Sequence, residues 1–164
     1  MKEVKAPNRY DLNGMVSLFA AGSIEQGQAE PWQSRLVESL SDMDHLLILN
    51  PRRPDWDPSW KQDKENPQFK EQVVWELDSQ KLSDVIAMYF DPKTKSPITL
   101  LELGLFAEKN LVVFCPEGFY RKGNVDIVCE RYDVTQADSW DDFVAKVRQA
   151  LDAAEKDRLE GAWK

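Results

Sequence analysis

The chain has 164 residues, 42% hydrophobic and 30% charged, with a formal net charge of −8. That length supports one domain with a substantial core. The acidic balance argues against a nucleic-acid polymer or an anionic membrane as partner, because the electrostatic term would have the wrong sign. It leaves small, mostly neutral ligands open. No run approaches the roughly 20 apolar residues needed to span a bilayer, and the N-terminal Met1–Tyr10 lacks the apolar core of a signal peptide. A cytoplasmic location is therefore expected. Cys115 and Cys129 lie in apolar runs and read as buried free thiols. With the single His45 they make no metal-ligand pattern, so no metal and no cofactor is expected.

In chain order, residues 1–13 are polar, and Pro7 and Asn13-Gly14 break them, which predicts an extended arm (1–14) ahead of one domain spanning 15–158. Met15–Ala21 is a buried strand stopped by Gly22-Ser23. Trp32, Leu36, Leu40 and Met43 recur at helical spacing over 30–43. A second strand, His45–Asn50, ends at Pro51. The stretch 51–67 carries Pro51, Pro54, Pro58 and Pro67 with Trp56 and Trp60, and long loops of this kind are usually functional. Phe69, Val73 and Leu77 mark the apolar stripe of a helix over 68–81. Asp84–Phe90 is a third strand, and Ile98, Leu101 and Leu105 mark the stripe of the next helix. Leu111–Cys115 is a fourth strand, and 116–124 a loop. Asp126–Tyr132 reads as a fifth strand. Trp140, Val144, Val147, Leu151 and Ala154 give a closing helix, with a charged tail after Lys156 expected to fray.

Strands alternating with helices predict an α/β, three-layer sandwich: five mainly parallel strands in the flavodoxin-like order 2-1-3-4-5, with helices on both faces. In such sheets ligands bind at the carboxyl ends of the strands, where the strand order reverses. The loops 22–25 and 91–97 should therefore face each other across one crevice, with the 51–67 loop beside them. That crevice would collect Gly22, Ser23, Arg52, Arg53, Trp56 and Trp60, and two carboxylates, Asp91 and Glu102. Asp84 is a further candidate. Glu76, one turn from Gln72, reads as a solvated side chain that could hold a loop arginine. A carboxylate pair of this kind can attack an anomeric carbon, form a glycosyl ester and manage the leaving group's proton.

The turn Phe19-Ala-Ala-Gly-Ser-Ile24 and the stretch Asn50-Pro-Arg-Arg53 with Trp56 carry a family resemblance, together with Phe69–Glu76, Met88–Ile98 and Leu101-Glu-Leu-Gly104. In this order they resemble the nucleoside 2-deoxyribosyltransferase-like family over roughly residues 15–150. The resemblance implies a flavodoxin-like fold and exchange of bases between 2′-deoxynucleosides through a covalent deoxyribosyl-glutamate. It implies homo-oligomers with sites near the subunit interfaces. It assigns the nucleophile to Glu102 and the management of the base to Asp91, with Asp84 second. Gly22, Ser23, Arg52, Asp55, Trp56 and Asn124 are implied in substrate binding, Asn124 from a neighbouring subunit. Where family transferases place an aromatic residue beside the nucleophile, this chain has Ala20-Ala21-Gly22-Ser23. That stretch is closer to related deoxynucleotide N-hydrolases, whose Gly/Ser turns hold a 5′-phosphate. Hydrolysis of a 2′-deoxynucleoside or its 5′-monophosphate is thus the alternative. A non-catalytic nucleotide-binding module is a third reading, since fold does not fix function.

Overall fold

The computed structural model describes residues 1–24 and 29–161. Six strands and five helices follow one another along the chain. They are β1 (Lys2–Lys5), β2 (Val16–Gly22), α1 (Trp32–Ser39), β3 (Leu46–Asn50), α2 (Pro67–Leu82) and β4 (Val85–Tyr89). After these come α3 (Pro97–Phe106), β5 (Leu111–Phe114), α4 (Lys122–Arg131), β6 (Thr135–Ala137) and α5 (Trp140–Gly161). All strand pairs are parallel, in the order β1-β3-β2-β4-β5-β6. The central strands β2, β3 and β4 are largely apolar, with Ser17 and Asn50 as buried polar exceptions, because both faces of a parallel sheet are covered. One layer packs Trp32 and Leu36 of α1, Leu40 just after it, and Phe143, Val147 and Leu151 of α5 against Leu18, Ile48 and Ala87. The other seats Leu103 of α3 and Val125 and Cys129 of α4 on Phe19, Leu49, Met88 and Val113.

The five-strand order appears as expected, from β3 to β6, with corrections at both ends. The arm contains β1, which extends the sheet by pairing Lys2–Lys5 with Leu47–Asn50. Its polar side chains suit an edge position. The stretch 126–132 is not a strand. It lies largely in α4, where Val125 and Cys129 are buried one turn apart while Ile127 is 67% exposed, a helical and not an alternating pattern. The last strand is the short β6. The tail also departs from expectation, since α5 runs as helix to Gly161.

The stripes predicted for two helices are inverted. On α2 the buried residues are Gln72, Ser79 and Gln80, and on α3 they are Thr99, Glu102 and Leu103. Leu77 is 38% exposed, and Ile98, Leu101 and Leu105 are each more than half exposed. Sequence order reverses between β2 and β4, so the switch point lies at their carboxyl ends. Helix α3 begins there, with Ser96 in the left-handed region (φ 44°) followed by Pro97 at the first helical position.

Candidate active site

A cavity of about 950 Å³ opens at this switch point. Its floor is Phe19, Ala21 and Gly22 of β2, and its walls are α2, α3 and the loop from Pro51 to Gln62. Thus the loop after β3 stands beside the site, as the topology requires. The loops after β2 and β4 also meet, but they close on each other. Ser23 Oγ accepts from the Asp91 backbone N–H at 2.9 Å and from Thr94 Oγ1 at 3.1 Å, and it is hydrogen-bonded to Ser96 Oγ. Glu25, at the end of the first of these loops, lies outside the described residues.

Two carboxyl groups share the cavity. Glu102, on the first turns of α3, is only 7% exposed, and its Oε1 accepts from Gln80 Nε2 at 2.6 Å. It takes part in no ion pair among the described residues. Glu76 on α2 accepts from Gln72 Nε2 at 2.8 Å, and the same amide donates to the Pro51 carbonyl at 2.8 Å. Gln72, Glu76 and Gln80 are four residues apart in turn, one polar stripe along α2. Both acids are driven toward the neutral form. Burial pushes Glu102 up to about 8, reinforced by the Glu76 charge and opposed by the Gln80 N–H. Burial likewise raises Glu76 to about 7, against the Gln72 N–H. Burial, with the Glu76 charge adding to it at Glu102, keeps a proton on the pair near neutral pH and holds it more tightly on Glu102 than on Glu76. Two groups of the stripe remain underused: Gln72 Oε1 and Gln80 Oε1 are buried without a partner among the described residues, a costly state for an amide oxygen.

Glu76 was not legible as a site residue from sequence, where it read as solvated. The signal was present in the spacing of Gln72, Glu76 and Gln80, hidden by the apolar Phe69-Val73-Leu77 stripe one position away. That stripe does not enter the core; it lines the cavity.

The remaining sequence candidates divide by position. Arg52 and Trp56 line the cavity. Arg52 donates to Gln33 Oε1 and to the carbonyls of Ala29 and Glu30, has no acidic partner among the described residues, and its pKa is lowered by burial. Trp56 packs edge-on against Trp60 (ring centroids 5.3 Å apart), and its buried indole N–H has no partner among the described residues. Arg53 also lines the cavity, but it is committed to Asp55 and Glu71, and Asp55 itself points away into solvent (69% exposed). Gly22 serves packing: at φ +144°, a Cβ there would sit 2.3 Å from the Tyr89 carbonyl oxygen and 2.8 Å from the Trp32 ring.

Asp91 does not line the cavity. It is buried and accepts from the Glu30 and Lys93 N–H groups, which fixes the turn after β4. Asp84 stands at the opposite, amino end of the sheet. There it accepts from Ser17 N–H, Ser17 Oγ and Arg158 Nε, so it cannot contact a ligand in this crevice. Asn124 lies across α3 in a separate groove of about 310 Å³ with Leu103, Gly104 and Arg121, and a single chain does not bring it to Glu102.

A parallel sheet covered on both faces, with a cavity lined by two glutamates and two arginines at its switch point, defines the class as a doubly wound α/β protein. Residues 15–119 match the family model described as nucleoside 2-deoxyribosyltransferase like, and the chain belongs to that family. Among solved structures, one described as a conserved protein from Enterococcus faecalis V583 shares the fold. It is 16% identical with a TM-score of 0.58, covering 82% of this chain and 98% of that one. A comparison with curated proteins finds no match. No helix among the described residues is long and apolar enough to cross a membrane. Family membership points to nucleoside metabolism.

Proposed function

We propose that the protein is a nucleoside 2-deoxyribosyltransferase, exchanging the base of 2′-deoxynucleosides through an ester on Glu102. The observation that carries this reading is the pairing of two elevated carboxyl groups, Glu102 and Glu76, in one cavity at the sheet's switch point. Before the first step the proton that burial holds on Glu102 (pKa about 8) passes to Glu76 (pKa about 7), and the Glu102 carboxylate then attacks C1′. The C1′–N bond breaks, its electron pair goes to the base, and Glu76 delivers its proton to a base nitrogen. In the second step a nitrogen of the incoming base attacks C1′, Glu102 leaves as carboxylate, and Glu76 takes the proton back. Two inversions give net retention at C1′. Trp56 offers a face for the flat base.

Incubation of the protein with deoxyinosine, with and without free adenine, tests this. Deoxyadenosine formed only when adenine is present is the expected result. Hypoxanthine released at the same rate without an acceptor would overturn transfer in favour of hydrolysis. The hydrolytic reading has its own support in Arg52, a cavity cation without an acidic partner among the described residues, suited to a 5′-phosphate. A large kcat/KM advantage for the deoxynucleoside 5′-monophosphate would favour it.

We further propose a homo-oligomer covering α3. Ile98, Leu101 and Leu105 are exposed around the cavity mouth. Gly104, beside them on the helix, has no neighbour within 4 Å of its Cβ direction, so packing within the chain does not require it. A second copy would cover these residues and could bring its Asn124 to the site. Sedimentation should show an oligomer, and a fully active monomer would refute the arrangement.

A further inference from the structure

We propose that Gln80 is the positioning residue of the site: it fixes Glu102 so that one carboxylate oxygen is tethered and the other is left to react. The inference rests on Glu102 being the nucleophile, as proposed above. Gln80 is completely buried, and its amide N–H groups meet Glu102 Oε1 at 2.6 Å and the Glu76 backbone carbonyl at 3.4 Å. The Glu76 carbonyl can only accept, as can the Glu102 carboxylate in the ionised form a nucleophile needs, and this sets the amide's orientation in the reactive state. That orientation leaves Gln80 Oε1 without a partner among the described residues. Glu102 Oε2 receives no hydrogen bond from any described residue, while the residue lines the cavity.

Such an arrangement makes little sense as scaffolding. A buried amide with half its hydrogen-bonding capacity unused is a stability cost that an apolar side chain of equal length would avoid. Its benefit falls on Glu102. Donation to a carboxylate favours the ionised form, the form a nucleophile needs. It also restrains rotation of the side chain, so less ordering remains to be done when the sugar arrives. The opposing influences are burial and Glu76 from α2. From the loop after β3, Arg52 and Arg53 line the same cavity, and the β2 floor of Phe19, Ala21 and Gly22 carries no charge. Among the described residues, Gln80 is the one that hydrogen-bonds the Glu102 carboxylate.

The test is Gln80→Met, which keeps the length and helix preference of the side chain and removes its polar atoms. A structural role predicts a lower melting temperature. Positioning predicts the reverse split: melting temperature unchanged or raised, kcat for base release down roughly tenfold to a hundredfold, and KM little altered. The acid limb of the pH–rate profile should move upward by about one unit. The Glu102 carboxyl, followed by ¹³C NMR of labelled glutamate and assigned with Glu102→Gln, should titrate at higher pH in Gln80→Met than in the unaltered chain. An unmoved NMR titration overturns the proposal, as does a loss of rate that merely follows a loss of stability. The NMR shift needs no turnover. A shifted Glu102 in a protein inactive on every deoxynucleoside would therefore sustain the positioning and sink the proposed reaction.

Discussion

The two ends of the sheet each hold a carboxylate next to a strand, and they treat it differently. At the amino end, Asp84 receives the Ser17 N–H at 2.8 Å, the Ser17 hydroxyl at 2.6 Å and the Arg158 guanidinium at 3.2 Å. Arg158 in turn donates to the Met15 carbonyl, tying α5 to the start of β2. At the carboxyl end, Glu102 has one amide N–H and a second acid for company. A carboxylate that is fully supplied with donors holds the fold together. One that is under-supplied and still buried is held in a less comfortable state, which is where reactive groups are found.

Substitutions at the two ends should separate these roles. The largest effect is expected for Glu102→Gln, which should lower base exchange at least roughly 1,000-fold while circular dichroism stays unchanged. Activity near that of the unaltered chain would remove the mechanism. Next, Asp84→Ala should cost about 1–3 kcal/mol in denaturant unfolding, because Arg158 and Ser17 lose their shared acceptor. Its kcat per folded molecule should be unchanged, and a loss matching that of Glu102→Gln would break the contrast. The smallest effect is in pH dependence. Glu76 and Glu102 bind protons more tightly in the folded chain than at the ordinary value of 4.5. The folded state therefore holds more protons than the unfolded one between that value and about 8. Their stabilisation is complete below 4.5 and is lost as pH rises through the folded values. Glu102→Gln should accordingly raise the melting temperature by roughly a few degrees at pH 8.5 and little at pH 5. Equal effects at both pH values would mean that Glu102 ionises freely.

Much of the fold was legible because buried parallel strands write themselves as unbroken apolar runs, as in Leu46–Leu49 and Val85–Tyr89. Shorter signals were ambiguous. Val125-Asp-Ile-Val-Cys129 is too brief for periodicity to choose between helix and strand, and the helix is settled by burial of its two ends. Lys2-Glu-Val-Lys5 carries a single apolar residue, and only its pairing with β3 makes it a strand. At the site, Glu102 was legible from its place just inside a helix that follows a buried strand. The resemblance assigns management of the base to Asp91, which also follows a strand, but its carboxylate is taken up by the Lys93 and Glu30 N–H groups. Glu76 depended on knowing which side of α2 faces inward, and the helix hides that by burying glutamines and exposing leucines.

That inside-out character has a practical consequence for anyone wishing to improve the protein's handling. The usual recipe for solubility is to replace oily surface positions with lysine or glutamate. Here Leu77, Ile98, Leu101 and Leu105 would head the roster of replacements, and all four are walls of the cavity around Glu102. A cosmetic redesign of the exterior would thus demolish the chamber it meant to leave alone; Ile127, Leu159 and Tyr132, exposed and outside both the cavity and the groove, are the safer targets.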